Sequence, residues 1–276
     1  MTATEFEFDG IKSSVYGLYI CSFDGAKNGV FPLGSEMTIN TIKAPRGTRL
    51  IKTGSAYETP LSFTFQVVKL NSHSEGEEIS PRELARIMRW LVRSDNYHYL
   101  RFEQSEWENI FYNCYLNVQK YEIAGQIVGL EIEATCDAPW GYSERKEHHL
   151  DFALKNEYSI HNYSDEDGGI LPDLVTVQCR TNCDIAIKNT FCIRKDQTNQ
   201  KAVTVKIANC KKDETIQFDR HRNICSSMSH KGLMDDFNHV FLELFSDLYN
   251  SENTLSSDSG CMLSIFYREI RKGVPA

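Results

Sequence analysis

Cysteine and histidine residues in the second half of the chain are the first candidates for chemistry. Cys179 and Cys183 are spaced C-x3-C, and His221 follows further along the chain. Thiolate and imidazole groups are the ligands that zinc prefers. Residues four apart in a continuous strand lie about 13 Å apart, so these two cysteines could share a metal only across a turn at Thr181 and Asn182. Buried free thiols are therefore the favoured alternative, and the sequence predicts no metal site and no cofactor.

An acidic run is the second candidate site. Asp165, Glu166 and Asp167 stand before Gly168 and Gly169, and clustered carboxylates suit calcium. The run lacks the D-x-D-x-D-G register and the glutamate that closes a calcium loop at its twelfth position. We therefore expect a solvated acidic loop.

Nucleophilic catalysis would need a serine or cysteine beside an oriented histidine. The available histidines are His148, His149, His161, His221, His230 and His239. No G-x-S-x-G elbow surrounds any serine, and the phosphate-binding patterns G-x-x-x-x-G-K-[ST] and G-x-G-x-x-G are absent from the sequence. The sequence thus predicts no catalytic residues, and we expect that the protein is not an enzyme.

A basic stretch is the strongest candidate for a partner interface. No acidic residue lies between Thr38 and Tyr57, and Pro45, Gly47 and Gly54 punctuate the segment. Its basic residues are Lys43, Arg46, Arg49 and Lys52. The pattern predicts an extended hairpin, which is either simply solvated or an arm that binds an acidic neighbouring subunit.

Length and charge limit the classes of function. A chain of 276 residues favours two domains, each with its own core. The formal net charge of −8 argues against a protein that mainly grips nucleic acid, because such proteins carry a strongly basic domain or face.

The sequence also indicates a compartment. It contains no apolar run long enough for a membrane span, and its start, MTATEFEFDG, is acidic where a secretory signal is basic. Nine irregularly spaced cysteines fit free thiols better than a disulfide framework. We expect a protein that is made in the cytoplasm and does not bind membranes.

One helix is clearly encoded in the first half. Ser80 is a good N-cap, Pro81 suits the first helical position, and Glu83 completes an S-x-x-E capping box. The apolar residues with helical spacing are Leu84, Ile87, Met88 and Leu91. We predict a helix from Pro81 to Ser94, flanked by strands that include Leu61–Leu70, Tyr97–Phe102, Asn109–Tyr121 and Ile127–Cys136.

The second half reads as an antiparallel β-sandwich. Its β-type runs are Leu174–Cys179, Ile185–Ile193, Ala202–Ala208, Thr215–Phe218, His239–Phe245 and Cys261–Arg268. The last two are expected to flank a polar loop that includes Asn250, Asn253 and Asp258. The residues from Asp137 to Tyr142, within the segment CDAPWGYS, break the strand pattern. We place the domain boundary just beyond Tyr142, which gives domains 1–142 and 143–276. The predicted fold class is mainly β, with α+β character in the first domain.

Three segments resemble the distal tail family of phages with long non-contractile tails, the siphophages. The first is FEFDGIKSSVYGLYI from Phe6 to Ile20, similar to the family's opening strand, serine-rich turn and Tyr-Gly-Leu strand. The second is the helix Pro81–Ser94 followed by paired strands that close on CDAPWGYS. The third is the final hairpin, which ends in Tyr267 and Arg268. Together these segments span nearly the whole chain in the family's order.

The resemblance implies a fold and a function. The first domain would be a β-sandwich or split-barrel-like ring domain, and the second a galectin-like sandwich. Such a subunit forms a homo-hexameric ring at the tail tip that joins the tail-tube protein to the tail-tip hub, a tail-associated lysin or a receptor-binding protein. Its channel passes the tape-measure protein and DNA without specific nucleic-acid binding. The protein would be a virion component assembled in the host cytoplasm.

A carbohydrate-binding role is the alternative. In that case the chain is a baseplate or surface module that recognises host glycans through its second domain. Sugar-binding modules stack pyranose rings on exposed aromatic side chains, and this domain contains no tryptophan.

Overall fold

The computed structural model describes residues 5–21, 35–43, 50–71, 75–103, 109–196, 198–228 and 230–273. These residues form antiparallel sheets and one main helix, so the predicted mainly β fold class is confirmed. The chain divides into two compact units, residues 1–143 with 271–276 and residues 144–270. No helix among the described residues is long and apolar enough to cross a membrane.

The first unit is built on one large sheet. Its strands are β1 (Glu5–Phe8), β2 (Ile11–Lys12), β3 (Leu18–Cys21), β4 (Met37–Lys43), β5 (Leu50–Tyr57), β6 (Ser62–Lys69), β7 (His98–Glu103), β8 (Phe111–Ile123), β9 (Gln126–Cys136) and β10 (Gly141–Tyr142). The sheet runs in the order β2-β1-β7-β8-β9-β6-β3, and β10 pairs with β8. Strands β4 and β5 form a separate two-stranded sheet.

Alternation of apolar and polar residues defines the buried face of this sheet. Phe6 and Phe8 on β1 and Phe65 and Val67 on β6 are buried, as the period of two in their strands predicts. They belong to one core cluster together with Leu100 on β7 and the apolar residues of the helix. The opposite face of the sheet is therefore the polar one.

Helix α1 (Pro81–Leu91) packs on the buried face of the sheet. The capping box is present as predicted, because the Ser80 hydroxyl accepts from the Glu83 amide at 3.4 Å and the Glu83 carboxylate accepts from the Ser80 amide at 3.0 Å. The helix ends three residues earlier than the sequence predicts, since Val92 has an extended backbone.

Trp90 anchors α1 to the start of the chain. Its indole ring stacks on Tyr16 with centroids 4.7 Å apart and on Phe6 at 5.7 Å. Its Nε1 donates to the Phe8 carbonyl at 3.0 Å, so the polar end of the indole is satisfied as well. Helix and opening strand therefore share one packed aromatic cluster.

The second unit contains two facing antiparallel sheets. Its strands are β11 (Lys146–Asp151), β12 (Glu157–His161), β13 (Gly168–Ile170), β14 (Leu174–Cys179), β15 (Cys183–Cys192), β16 (Gln200–Cys210), β17 (Thr215–Asp219), β18 (Ile224–Ser226), β19 (Leu244–Ser246), β20 (Glu252–Ser257) and β21 (Cys261–Tyr267). A short helix α2 (Leu233–Asp236) precedes β19, and the last strand of the chain, β22 (Ile270–Arg271), belongs to the large sheet of the first unit. The orders are β11-β21-β14-β17-β18 and β12-β20-β15-β16, and inward residues of both sheets form one core.

Two sequence predictions for this unit are wrong. The expected polar loop around Asn253 contains strand β20, in which Asn253, Leu255 and Ser257 point inward and are buried. The expected strand from His239 to Phe245 is mostly irregular, and only Leu244–Ser246 pairs as β19. Buried asparagine and serine conceal the period of two that would otherwise mark β20.

Candidate interaction surfaces

The hairpin of β4 and β5 contains the described part of the predicted basic arm. The strands pair from Met37 opposite Tyr57 to Lys43 opposite Leu50, with one irregularity after Asn40. Residues opposite each other in an antiparallel pair share a face, and β4 alternates without interruption. Lys43 and Lys52 therefore lie on the same face of the hairpin.

The same face carries apolar side chains. Met37, Ile39 and Leu50 lie on it by the same register, and all three are exposed. On the opposite face, Ile42 pairs with Ile51, and these two side chains are 56% and 49% exposed. The hairpin thus offers unpartnered apolar surface on both faces. Isolated exposed apolar residues are normal, but a cluster of five on one two-stranded element indicates a binding surface.

The lysines add positive charge to this surface. Lys43 and Lys52 are exposed and form no ion pair with any residue that the structure describes. Arg46 and Arg49, the other two residues of the predicted interface, lie outside the described residues. The structure therefore gives the positions of two of the four residues, and their role in binding a partner stays a prediction.

Aromatic contacts hold the base of the hairpin within the first unit. The Tyr57 ring meets Trp140 edge-on at 5.6 Å, and the Lys272 ammonium lies 5.9 Å from the centre of the Tyr57 ring. Trp140 belongs to the CDAPWGYS segment, whose Asp137 accepts a 2.6 Å hydrogen bond from Asn113. This segment therefore fixes the root of the hairpin.

Helix α1 presents a row of arginines. Arg82, Arg86 and Arg89 are exposed and form no ion pair with the residues described, whereas Arg93 lies near Asp9 and Asp95. Their exposure is that of a solvated helix face.

An open cleft of about 660 Å³ lies on the second unit. Its walls carry aromatic, amide and carboxylate side chains, among them Tyr163, Asp165, Asp247, Tyr249 and Asn250. The Tyr163 and Tyr249 rings are exposed, and the His161 ring stacks on Tyr163 at 5.5 Å. Such a surface can accept hydrogen bonds from hydroxyl groups and present ring faces to apolar ones. Asp165 comes from the acidic run that sequence analysis identified as a solvated loop.

His230 is enclosed within the second unit, with 5% of its side chain exposed. Its Nδ1 lies 2.8 Å from the fully buried Glu214 carboxylate, and its Nε2 lies 3.0 Å from Asp236. Asp236 contributes most to raising the pKa of His230, burial lowers it, and Glu214 raises it further. Both ring nitrogens face carboxylates in this arrangement, and neither contacts a serine hydroxyl or a cysteine thiol among the described residues. The site is an ion network and does not have the geometry of a catalytic base.

The pKa values of the two carboxylates of this network, Glu214 and Asp236, are lowered, whereas that of His230 is raised. Burial works to raise the pKa of Glu214, but hydrogen bonds from Ser226, the Lys211 amide and His230 lower it overall. The hydrogen bond from His230 is the main cause of the lowered pKa of Asp236. In the sequence His230 is recognisable only as an available histidine, because no motif links it to Glu214 or to Asp236.

The residues considered for zinc do not converge. Cys179 ends β14 and is buried, Cys183 begins β15 and is half-buried, and His221 is exposed in the turn after β17. Among the residues that the structure describes, no three His, Cys, Asp or Glu side chains are arranged to hold a metal ion.

Comparison with known proteins shows the family to which the chain belongs. A family model described as "Phage tail protein N-terminal domain" matches residues 1–138, and one described as "Phage tail C-terminal domain" matches residues 140–267. No curated protein sequence matches the chain.

A solved structure gives the fold. The crystal structure of the Dit protein (gp 19.1) of phage SPP1, described as a paradigm of the hub adsorption apparatus in phages that infect Gram-positive bacteria, superposes with a TM-score of 0.59 at 10% identity over 96% of this chain and 98% of that chain. A chain of the phage P2 baseplate in its activated conformation with Ca gives a TM-score of 0.49 at 10% identity over 97% of this chain and 98% of that chain. The resemblance inferred from FEFDGIKSSVYGLYI, the capped helix and CDAPWGYS is confirmed. The chain belongs to a family of phage tail proteins and has the fold of a phage distal tail protein.

Proposed function

We propose that the chain is a structural, non-enzymatic distal tail protein that forms a homo-hexameric ring at the tail tip. The ring joins the tail tube to the tip or baseplate hub, and its partners are the tail-tube protein and a tail-associated lysin or receptor-binding protein. The observation that carries the proposal is the hairpin of β4 and β5, which presents apolar and basic residues on an acidic chain. The SPP1 Dit fold supports the same position in the particle.

A closed ring needs two different complementary patches on each subunit. The hairpin supplies one of them, because Lys43 and Lys52 form no ion pair with the described residues of their own chain and Ile42 and Ile51 are about half exposed. A neighbouring subunit of net charge −8 offers acidic surface to the lysines. In this proposal the ring leaves an axial channel for the tape-measure protein and DNA, without specific nucleic-acid binding, and it assembles in the host cytoplasm.

Charge reversal on the hairpin tests the ring. The variant Lys43→Glu/Lys52→Glu should lower the oligomer mass measured by light scattering and remove six-fold rings from negative-stain images. Adding Arg46→Glu and Arg49→Glu should strengthen the effect. The control is Lys211→Glu/Lys212→Glu, which makes the same charge change at two exposed positions of the second unit. If the ring forms in the hairpin variants as it does in the control, the hairpin is not the interface.

The second unit is a galectin-like sandwich in this proposal, and glycan recognition is the second candidate function. The cleft lined by Tyr163, Tyr249, Asp247 and Asn250 favours it, since ring faces and hydrogen-bond acceptors lie together. Glycan-array binding by the full chain that Tyr249→Ala abolishes would support this function. The matched control is Tyr97→Ala, an exposed tyrosine of the first unit. Binding that both variants retain would place the glycan elsewhere.

A further inference from the structure

Two pairs of cysteines face each other across neighbouring antiparallel strands. In the first unit, the register of β8 and β9 sets Cys114 opposite Cys136. In the second unit, the register of β14 and β21 sets Cys179 opposite Cys261. All four residues are at most 1% exposed, and all four are free thiols in the structure. Directly opposite residues share a face of the sheet, so each pair points into the core of its own unit.

Cys179 and Cys261 form a non-hydrogen-bonded pair, because their backbone groups bond to other partners. The Cys179 amide donates to the Glu214 carbonyl at 2.9 Å, and the Cys179 carbonyl accepts from the Asp213 amide at 2.8 Å. The Cys261 carbonyl accepts from the Phe152 amide at 3.0 Å, just beyond the end of β11. None of these bonds runs between β14 and β21, and opposite residues that do not bond each other lie closer together than those that do.

Cys114 and Cys136 have the same arrangement in the first unit. The Cys136 amide donates to the Leu61 carbonyl at 2.8 Å, away from β8. The residue after β9, Asp137, donates from its amide to the Asn113 carbonyl at 2.8 Å, so the inter-strand bond lies one position further along. Hydrogen-bonded and non-hydrogen-bonded pairs alternate along an antiparallel ladder. Cys114 and Cys136 are therefore a non-hydrogen-bonded pair.

The spacing of such a pair suits a disulfide bond. Opposite residues of a non-hydrogen-bonded pair have Cα atoms about 4.5 Å apart. Disulfide-bonded cysteines have Cα atoms roughly 4.4–6.8 Å apart, and Cβ atoms approach more closely in this kind of pair than in a hydrogen-bonded one. Each pair can therefore be bridged by rotation of its side chains, without movement of the strands.

A third pair of opposite cysteines lacks this geometry. Cys183 lies opposite Cys210, but the register of β15 and β16 shifts between Cys183 and Ile185, so the regular spacing is lost there. The Cys210 thiol donates to the Ile207 carbonyl at 3.5 Å, which turns its sulfur toward its own strand. The two regular pairs are therefore the better sites for a bond.

We propose that Cys114–Cys136 and Cys179–Cys261 are disulfide sites, which close when the chain meets a small disulfide such as oxidised glutathione. In each pair, one cysteine thiolate attacks a sulfur of oxidised glutathione, forms a mixed disulfide and releases one glutathione thiolate. The second cysteine loses its proton to solvent, and its sulfur attacks the protein sulfur of the mixed disulfide and releases the other glutathione thiolate. Two electrons pass from each cysteine pair to one molecule of oxidised glutathione.

Burial limits the rate of this exchange. It raises the pKa of Cys136 to about 12 and that of Cys261 to about 11, so both thiols are protonated at neutral pH while the strands are paired. A hydrogen bond with Cys210 is the main cause of the lowered pKa of Cys179, which favours Cys179 as the first thiolate of its pair. Because the thiols are buried, exchange follows local opening of the strand ends and should accelerate on mild heating.

The two bonds would stabilise the subunit after it leaves the cell. Each closes a loop within one unit, and so restricts the unfolded chain more than the folded one. A reducing cytoplasm keeps such thiols free, whereas a virion component later meets an oxidising medium. This timing rests on the proposed function, but the bonds themselves depend only on the fold of the subunit.

Thiol counting in the full chain tests both sites. The purified chain is incubated with oxidised glutathione below its Tm and alkylated under denaturing conditions, and its intact mass shows how many of the nine cysteines react. Four cysteines should escape alkylation without gaining the mass of glutathione, and mapping should recover Cys114–Cys136 and Cys179–Cys261 peptides. The Tm should be about 5 °C higher than in a dithiothreitol-treated sample. The result does not depend on ring formation, because the free chain is used.

Each site is decided by its own peptide. If both cysteines of a pair are alkylated, or if either is bonded to another cysteine such as Cys210, the proposal is overturned for that unit.

Alanine variants separate the two pairs from general oxidation. Cys179→Ala should leave Cys261 open to alkylation while the first unit's bond still forms, and Cys114→Ala should remove the first unit's bond alone. The control is Cys225→Ala, at an exposed position opposite Gln217, which should keep both bonds. Circular dichroism confirms that each variant is folded before the assay. If an alanine variant fails to fold, the peptide map of the unaltered chain decides alone, because it identifies the bonded pairs directly.

Discussion

His230 shows how one buried side chain can make stability depend on pH. Its imidazole lies between Glu214 and Asp236, so the folded state favours the charged ring and raises its pKa. A raised pKa contributes stability that is fully present below the unfolded value of about 6.5 and is lost as pH rises through the folded value. The lowered pKa values of Glu214 and Asp236 contribute stability above their unfolded values, of about 4, which is lost on acidification.

We expect His230→Gln to lower the free energy of unfolding by about 3 kcal/mol at pH 6, because it leaves the buried Glu214 carboxylate without its cation. The loss should be smaller at pH 8.5, where the unaltered chain has also lost part of this contribution. Urea unfolding at the two pH values measures it. The control His221→Gln removes an exposed histidine, and an equal effect at both pH values in His230→Gln would contradict the network's role.

Gly141 provides a second test at a single position. A Cβ at Gly141 would overlap the Ile110 side chain and lie 3.0 Å from the Tyr112 ring, both in the first unit. Gly141→Ala should therefore cost about 1–3 kcal/mol of stability, measured by thermal unfolding. Gly76→Ala is the control, since a Cβ there meets nothing within 4 Å. Equal stability of the two variants would show that the strand relaxes around the added methyl group.

Helix α1 is the element whose first residue could be predicted from local sequence. Ser80 and Glu83 form the reciprocal hydrogen bonds of the capping box, and the Lys69 ammonium and the Ser80 hydroxyl together lower the pKa of Glu83 to about 2. We expect Ser80→Ala to destabilise the chain by about 1 kcal/mol, which guanidinium unfolding can resolve. Ser94→Ala, beyond the end of the helix, should have no effect. A cap that can be lost without cost would mean that packing of Trp90 alone holds the helix.

Elements with local signals were predictable, and elements defined by distant partners were not. The capped helix and the β14 run Leu174–Cys179 follow from residues within a few positions of each other. Strand β20 was missed because Asn253 is buried by partners elsewhere, donating to the Phe245 carbonyl and accepting from the Asn189 amide. Strand β11 was missed because Lys146–Asp151 is mostly polar and is ordered by pairing with β21.

The candidate interaction surfaces were likewise predictable only where the sequence carries a local signal. The basic part of the hairpin surface was predictable, because no acidic residue lies near Lys43 and Lys52 in the sequence. The apolar part of that surface was missed, since exposed and buried isoleucines look alike without a partner strand. The cleft of the second unit joins Tyr163 to Tyr249 from loops far apart in sequence, so no local pattern could reveal it.

At the scale of the whole molecule, assembly should depend on apolar contact as well as charge. Ile42→Ser/Ile51→Ser should reduce ring formation, while the Tm of the free subunit stays within about 2 °C, because both side chains are exposed. Analytical ultracentrifugation measures assembly, and Leu154→Ser, at an exposed apolar residue of the second unit, is the control. Unchanged sedimentation in the isoleucine variant would show that Ile42 and Ile51 are not part of an interface.

The two-stranded sheet of β4 and β5 has a consequence for the kinetics of assembly. A two-stranded hairpin without a packed face is marginally stable in water, so its amide hydrogens should exchange with solvent rapidly in the free subunit. If the hairpin docks on a neighbour as proposed, that contact would order it, and amide exchange should slow by orders of magnitude in the proposed ring. Each subunit would then order a segment as it joins, and the entropy cost of that ordering lowers the affinity of each contact.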